Sequence, residues 1–199
     1  IKPLIVYTPA FERGYDPNTI VDDHKFEGGP SNATNTYAGK IPLRYAVAKS
    51  LNTVAWQVYE QVTPKVGLQY LKNMNFSSIV KDDYTLATSL GGFTKGVSPL
   101  EMASAYAALE NDGMFRQPNC IKSIVDADEN VVYSSQMAEV SIYEKDATRT
   151  MTDVLTTVMD SGTGAALKLS NMPCAGKTGT TNDHKDGWFV GYTRYYTTS

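Results

Sequence analysis

The sequence predicts an α+β fold in which an antiparallel sheet packs against a cluster of helices. Two observations lead to this class: apolar residues recur at helical spacing through most of the chain, and strand-like segments gather near its end. The size is sufficient, because 199 residues with 42% hydrophobic content are enough for one globular domain or a large piece of one. Since no repeat or low-complexity linker divides the chain, residues 1–199 are expected to belong to a single domain.

The chain should begin with a helix that is followed by a long loop. Residues 2–13 carry apolar side chains at mixed helical spacing, and Gly14 is a natural helix stop. Residues 15–39 are rich in Asp, Asn, Gly and Pro, which predicts a surface excursion with little regular structure. Long ordered loops are more often functional than idle.

Helix signals dominate the middle of the chain. Pro42 suits the first turn of one helix, and apolar spacing predicts two more over residues 53–61 and 65–74. The clearest start is Ser98-Pro99-Leu100-Glu101, a capping box with proline in the first turn. Gly113 should end the helix that this box begins.

Strand patterns follow, interrupted by one more helix. Residues 120–125 and 131–133 flank a polar turn segment, which predicts a β-hairpin. Residues 147–159 form the last predicted helix, which Gly162 and Gly164 should stop. The final elements are consecutive strands at residues 177–180, at 188–193 and from 195 onward.

Composition and charge argue against several kinds of protein. The net charge is −3 and the lysines are scattered, whereas nucleic-acid-binding proteins cluster basic residues, so no nucleic-acid partner is expected. No apolar run approaches the roughly 18 residues that a membrane span needs, and no signal peptide opens the chain. Because His24 and His184 are isolated and no other ligand residues cluster, we expect neither a metal nor another cofactor.

Two cysteines are too few for a disulfide framework. Cys120 and Cys174 could pair with each other, but buried thiols that fill the core are the favoured interpretation. The cysteine count therefore does not settle the cellular compartment.

Three short segments carry residue types that together suit acyl transfer to a serine. Lys2 precedes a proline and a helix, Ser50-Leu51-Asn52 lies at a junction of two helices, and Lys177-Thr178-Gly179-Thr180 lies on a predicted strand. Ser-x-Asn followed far downstream by Lys-Thr-Gly forms the second and third parts of the active-serine signature, whose first part is Ser-x-x-Lys. Each segment alone has an ordinary explanation, as a helix cap, an edge-strand turn or a solvated lysine, so only their combination is specific.

Each residue type has a chemical reason to be there. Serine is a weak nucleophile that needs a base, and a lysine one helical turn after it can serve if burial beside another cation lowers its pKa. Ser50 can relay a proton towards the leaving nitrogen, and Asn52 can hydrogen-bond the substrate amide and the lysine. Lys177 adds positive charge opposite a substrate carboxylate, and Gly179 lets an extended peptide lie close to the strand edge. The main-chain N–H of Thr180 is a candidate oxyanion donor.

Over nearly its whole length the sequence resembles the transpeptidase domain of class A, high-molecular-weight penicillin-binding proteins. The matching stretches are Ile1-Lys2-Pro3, Glu12-Arg13-Gly14-Tyr15, Ile20-Val21-Asp22-Asp23, Leu43-Arg44-Tyr45-Ala46, Ser50-Leu51-Asn52, Ser89-Leu90-Gly91-Gly92, residues 97–107, Ser161-Gly162-Thr163-Gly164, residues 175–183 and residues 188–192. This resemblance implies the penicillin-binding and serine β-lactamase fold, truncated here at both ends.

The resemblance also implies an activity and assigns roles. The activity is that of a D-Ala-D-Ala transpeptidase, which cross-links peptidoglycan stem peptides through a serine acyl-enzyme and is inactivated by β-lactams. Lys2 would be the base of the first motif, and Ser50 with Asn52 would form the second motif. Lys177 with Thr178 would clamp the substrate carboxylate.

The implied partners are stem peptides, β-lactam antibiotics and the remainder of a parent chain. That parent would carry a glycosyltransferase domain and a membrane anchor, and would work on the outer face of the bacterial cytoplasmic membrane. The family's nucleophilic serine lies three residues before the lysine, which is two positions before Ile1. We therefore expect an incomplete sheet and a polypeptide that, by itself, is inactive and not acylated by penicillin.

Three other functions stay open. A class A β-lactamase shares the three motifs but needs a deacylating glutamate in a Glu-x-x-x-Asn context, which no glutamate between Asn52 and Lys177 has. A β-lactam-sensing receptor domain would acylate without turnover and signal through a fused membrane segment. A non-catalytic fragment would only pack beside the rest of its domain.

Overall fold

The computed structural model describes residues 1–136, 138–181 and 185–199, and it has the α+β architecture that the sequence predicts. In chain order the helices and strands are α1 (Thr8–Phe11), β1 (Ile20–Asp23), β2 (Gly39–Pro42), α2 (Leu43–Ala48), α3 (Asn52–Val62), α4 (Pro64–Asn73), α5 (Pro99–Glu110), β3 (Met114–Arg116), β4 (Ser123–Val125), β5 (Val131–Ser134), β6 (Glu139–Ser141), α6 (Lys145–Ser161), β7 (Ala175–Thr180), β8 (Gly187–Tyr192) and β9 (Thr197–Thr198). Shorter helical turns lie at Pro3–Tyr7, which is π-helical, and at Lys81–Asp83, Leu86–Leu90 and Ala165–Leu167.

A helix at the start of the chain forms the centre of the core. The π-helical turn Pro3–Tyr7 runs directly into α1, and all nine residues from Pro3 to Phe11 are buried. The turn packs against α3 and α4, while α1 packs against α6. A helix that is covered on all sides has to be apolar all round, which explains the mixed spacing seen in its sequence. Gly14 follows with a φ of +91°, a conformation that glycine adopts without strain, and it ends the helix as predicted.

The main sheet contains β7, β8 and β9 in that order, with antiparallel neighbours. Lys177 pairs with Val190, and Gly179 pairs with Trp188. Helix α6 packs against β7, and α5 packs against β8. Among the described residues no strand pairs with the outer edge of β7. Residues 177–180 of this strand instead line a cavity that residues of the helical cluster also line.

The other sequence-predicted elements are also present. The capping box at the start of α5 is formed, since Ser98 Oγ accepts from the Glu101 N–H at 3.2 Å and the Glu101 carboxylate accepts from the Ser98 N–H at 2.7 Å. Strands β4 and β5 form the predicted hairpin, and α6 ends at Ser161 with Gly162 in the C-cap position. Within the described ranges, no helix is long and apolar enough to cross a lipid bilayer.

Two expectations for residues 15–42 need correction. Residues 20–23 form β1, which pairs with β2 inside what was expected to be an irregular loop. The strand gives no apolar alternation because Asp23 is its buried residue, at 1% exposed, whereas Ile20 is 61% exposed. Pro42 ends β2 and precedes α2, so it does not lie in the first turn of that helix.

The buried-thiol interpretation of the cysteines is wrong. Both cysteines are free, and Cys120 is exposed while Cys174 is half-buried. Cys120 leads into β4, a strand whose residues are all exposed, so this part of the chain offers no core for a thiol to fill.

Candidate active site

The three sequence segments converge on one cavity. Its volume is about 680 Å³. All seven residues singled out in the sequence line it: Lys2, Ser50, Asn52, Lys177, Thr178, Gly179 and Thr180. They come from the start of the buried helix, from the junction of α2 and α3, and from β7. The fold therefore brings together residues that are far apart in the sequence.

Lys2 enters the cavity from the N-terminal end of the buried helix. Its Nζ donates to the carbonyl oxygen of Ser50 and to Oδ1 of Asn52, both at 2.8 Å, and lies 3.4 Å from Ser50 Oγ. The residue is only 8% exposed. Burial, reinforced by the positive charge of Lys177, lowers the pKa of Lys2 well below its usual value because both disfavour the ammonium form.

Either the ammonium form or the neutral amine of Lys2 can make these contacts, and the lowered pKa favours the neutral amine. A neutral amine has two N–H donors and one lone pair, whereas the ammonium form has three donors and no lone pair. The two 2.8 Å hydrogen bonds use both donors of the neutral form and leave its lone pair for a hydroxyl. A side chain held in this way can act as a general base towards a hydroxyl group in the cavity.

Ser50 occupies a strained position between two helices. Its φ is +57°, a left-handed conformation that costs a non-glycine residue roughly 1–3 kcal/mol. In this conformation its carbonyl oxygen accepts from Lys2 Nζ. The ordinary explanation of this serine as a helix cap is wrong, because Leu51 occupies the N-cap position of α3.

Asn52 is the first residue of α3, and its side-chain amide is fixed at both ends. Oδ1 accepts from Lys2 Nζ at 2.8 Å, and Nδ2 donates to the carbonyl oxygen of Ser31 at 2.9 Å. Because the two partners have opposite hydrogen-bonding character, the amide can satisfy both in one orientation only.

Lys177 is the second buried lysine of the cavity. It is 4% exposed, and its Nζ donates to the carbonyl oxygen of Thr178 at 3.0 Å. Burial lowers the pKa of Lys177 to about 8, so most molecules carry this positive charge at neutral pH. The hydroxyl groups of Thr178 and Thr163 share a hydrogen bond of 2.6 Å beside it.

Glycine at position 179 is explained by the neighbouring strand. A Cβ atom there would lie 3.2 Å from the Cβ of Trp188, which is closer than ordinary packing allows. The close approach of a substrate to Gly179 is a separate matter and stays a prediction. Thr180 ends β7 opposite Gly187 and lines the same cavity, and its role as an oxyanion donor likewise stays a prediction.

Three further polar residues line the cavity and were given no role in the sequence analysis. Asp23 and Asn32 are almost fully buried, at 1% and 3% exposed, and Thr163 contacts Thr178. Asp23 and Asn32 lie in the segment expected to be a surface loop. The available signals were the length of that loop and, for Asp23, its place in the resembling stretch Ile20-Val21-Asp22-Asp23.

In the described part of the chain no group of three His, Cys, Asp or Glu side chains could hold a metal ion. His184 lies outside the described residues, as do Asn182 and Asp183 of the last resembling stretch. The expectation of no metal and no cofactor stays a prediction.

Comparison with protein families gives a match across the chain. The family described as "Penicillin binding protein transpeptidase domain" matches residues 1–198. Penicillin-binding protein 4 of Bacillus subtilis is 33% identical, over 99% of this chain and 32% of its own length. Penicillin-binding protein 1A/1B of the same organism is also 33% identical, over 99% of this chain and 24% of its own length. The chain thus spans a third or less of the length of these relatives.

Solved structures have the same fold. The PonA1 protein of Mycobacterium tuberculosis, in complex with penicillin V, superposes with a TM-score of 0.84 at 21% identity, over 99% of this chain and 57% of that one. Penicillin-binding protein 1A of Haemophilus influenzae gives a TM-score of 0.81 at 22% identity, over 96% and 35%. At these identities the structures establish the fold, and they confirm the α+β class expected from the sequence.

Proposed function

This chain belongs to the penicillin-binding protein transpeptidase family, as its resemblance to the class A members indicated, and we propose that it is the central part of a serine D-Ala-D-Ala transpeptidase. The observation that carries the proposal is the contact of Lys2 Nζ with Ser50 and Asn52 in a cavity that also holds Lys177. The substrate would be a peptidoglycan stem peptide ending in D-Ala-D-Ala. The nucleophile would be a serine three residues before Lys2, outside the printed sequence.

In the proposed acylation step, the serine oxygen attacks the carbonyl carbon of the penultimate D-Ala. Its proton passes to the neutral Nζ of Lys2, and the resulting oxyanion accepts from the main-chain N–H of Thr180. The C–N bond to the terminal D-Ala then breaks, and the leaving nitrogen takes a proton from the lysine through the hydroxyl of Ser50. Free D-Ala leaves, and the serine ester remains.

In the proposed second step, an amine of a neighbouring stem peptide attacks the serine ester. The amine gives up a proton to the base, a new amide bond forms, and the C–O bond to serine breaks as the oxygen is reprotonated. The product is a cross-link between two stem peptides. A β-lactam would enter the first step, and its acyl-enzyme would persist because the opened ring stays attached.

Substrate placement follows from the strand edge and the charges beside it. In the part of the chain that the structure describes, no strand pairs with the outer edge of β7, and such an edge suits an extended peptide, which can add to the sheet as a further strand. Lys177, with Thr178 and its hydrogen-bonded partner Thr163, would bind the terminal carboxylate. Because burial strengthens this charge interaction, a substrate that lacks the carboxylate should acylate the enzyme slowly.

The parent chain and its location are part of the proposal. We expect these 199 residues to belong to a longer, membrane-anchored protein on the outer face of the bacterial cytoplasmic membrane. A longer parent is supported by the relatives, because this chain covers only a third or less of their length. A polypeptide made of residues 1–199 alone, without the serine proposed as nucleophile, should not be acylated.

The test is an intact mass spectrum before and after incubation with benzylpenicillin, for the longer protein and for the polypeptide of residues 1–199. We expect one stable penicilloyl adduct on the longer protein, on the serine before Lys2, and no adduct on the shorter polypeptide. A longer protein that has this serine and gains no adduct would contradict the proposed function. Repeated turnover of the β-lactam without a persistent adduct would indicate a β-lactamase instead.

A further inference from the structure

We propose that Asp23 and Asn32 are positioning residues that hold Asn52 in register with Lys2. Neither belongs to the three motif segments, and both come from the segment that includes β1 and the loop after it. The inference rests on the proposed function, because its consequence is measured as an acylation rate.

Asn32 caps the helix that carries Asn52. The N–H groups of a first helical turn lack partners within the helix, and the side chain of Leu51 in the N-cap position cannot accept a hydrogen bond. Oδ1 of Asn32 accepts from the main-chain N–H of Asn52 at 2.8 Å and from that of Thr53 at 3.3 Å. The cap of α3 is therefore supplied from 20 residues upstream in the chain.

Asp23 fixes the orientation of that capping amide. Its carboxylate is buried and accepts from Nδ2 of Asn32 at 2.7 Å, from the main-chain N–H of Ala38 at 2.7 Å, and from the hydroxyl of Thr53. A carboxylate accepts but does not donate, so Asn32 has to turn its nitrogen to Asp23 and its oxygen to α3. Hydrogen bonds to a carboxylate are stronger than those between neutral groups, which makes this orientation firm.

The same segment also holds the side chain of Asn52. The carbonyl oxygen of Ser31, the residue before Asn32, accepts from Nδ2 of Asn52 at 2.9 Å, and this leaves Oδ1 for Lys2. One short segment thus fixes both the backbone and the amide orientation of Asn52. Without the hydrogen bonds of Asp23 and Asn32, Asn52 should no longer be held at a fixed position relative to Lys2. A misplacement of about 1 Å in a catalytic group can cost about 100-fold in rate.

The test uses the longer protein, with its serine, and a fluorescent penicillin. Single-turnover kinetics separate the binding constant from the acylation rate constant, and a thermal melt reports stability. The variants are Asn32→Ala, Asn32→Asp, Asp23→Asn and the reciprocal double change Asp23→Asn with Asn32→Asp. The matched control is Ser98→Ala, which deletes the side-chain cap of α5 instead.

Asn32→Ala should lower the acylation rate constant by about 100-fold, with a much smaller change in the binding constant. Ser98→Ala should lower the melting temperature and leave the acylation rate constant unchanged. Asn32→Asp alone places two carboxylates side by side and should be slow. The double change restores one donor between the two positions and keeps an acceptor for α3, so it should recover much of the rate.

Each of the other outcomes has a separate meaning. The positioning role would be overturned if Asn32→Ala is acylated at the rate of the unmodified protein. It would also be overturned if Ser98→Ala loses as much rate as Asn32→Ala. Both results would leave the proposed function standing. If Asn32→Ala does not fold, the reciprocal pair decides, and a double change no faster than Asn32→Asp overturns the inference. An unmodified longer protein that is not acylated would overturn the proposed function, and this inference with it.

Discussion

Lys2 and Lys177 line the same cavity, yet their surroundings differ. Lys2 donates to a backbone carbonyl and a side-chain amide, and its pKa is lowered by burial and by the charge of Lys177. Lys177 donates to one backbone carbonyl, and burial alone lowers its pKa to about 8. Lys2 is thus shifted towards the neutral amine, the form that can act as a base, whereas Lys177 keeps most of its positive charge at neutral pH. Two residues of the same type thus receive different tasks from their environments.

The largest expected effect comes from exchanging each lysine for arginine in the longer protein. Lys2→Arg should lower the acylation rate by about 10²–10⁴-fold, because an arginine does not lose its proton and cannot be a general base. Lys177→Arg keeps the charge and should retain far more of the rate. Rates measured with a fluorescent penicillin decide between them, and equal losses for the two variants would contradict the division of tasks.

A carboxylate beside Lys2 should make this lysine positively charged at neutral pH, as Lys177 is. Asn52→Asp places a negative charge in contact with Nζ, which raises the pKa of Lys2 because the ammonium form is then favoured. Acylation at neutral pH should fall by about 10–100-fold and recover as the pH is raised. The acidic limb of the pH–rate profile is the measurement. Asn52→Leu, which adds no charge, is the control, and its acidic limb should not move to higher pH.

The alkaline limb of the same profile should belong to Lys177. Acylation rises with pH as Lys2 loses its proton, and it should fall above about pH 8 as Lys177 loses its charge. One pH unit above this pKa about a tenth of the molecules keep the ammonium group, so the fall should be about tenfold. Lys177→Arg should remove the alkaline fall, and a fall that persists in this variant would assign it to another group.

The smallest effect is expected for the threonine pair beside Lys177. Thr163→Val removes the partner of the Thr178 hydroxyl and keeps the shape of the side chain. A net hydrogen bond contributes about 0.5–1.5 kcal/mol, so binding of a carboxylate ligand should weaken by about 2- to 10-fold. The binding constant for penicillin measures this, and the acylation rate constant of the bound complex should not change.

The residues of the three motif segments could be predicted from the sequence, whereas the residues that position them could not. Lys2, Ser50, Asn52 and the β7 residues were found because their chemistry depends on residue type and order, and the fold brings them to one cavity. The capping box of α5, the hairpin and the late strands were predicted because short-range rules determine them.

Asp23 and Asn32 could not be found in the same way. Strand β1 buries an aspartate and exposes an isoleucine, so its pattern of burial runs against the hydrophobic alternation on which strand prediction depends. Likewise, α3 is capped by a residue 20 positions away, whereas capping rules consider only neighbouring residues. The left-handed φ of Ser50 also has no signal in neighbouring residues, and in this conformation its carbonyl oxygen accepts from the distant Lys2.

A titration of both lysine side chains by NMR measures the proposed difference between Lys2 and Lys177 directly. The longer protein is labelled with ¹³C at the lysine Cε atoms, and Lys2→Arg and Lys177→Arg assign the two signals. We predict that Lys2 titrates well below the ordinary value of 10.5 and that Lys177 titrates with a midpoint near pH 8. If the Lys2 signal instead titrates near the ordinary value of 10.5, Lys2 is not the general base proposed here.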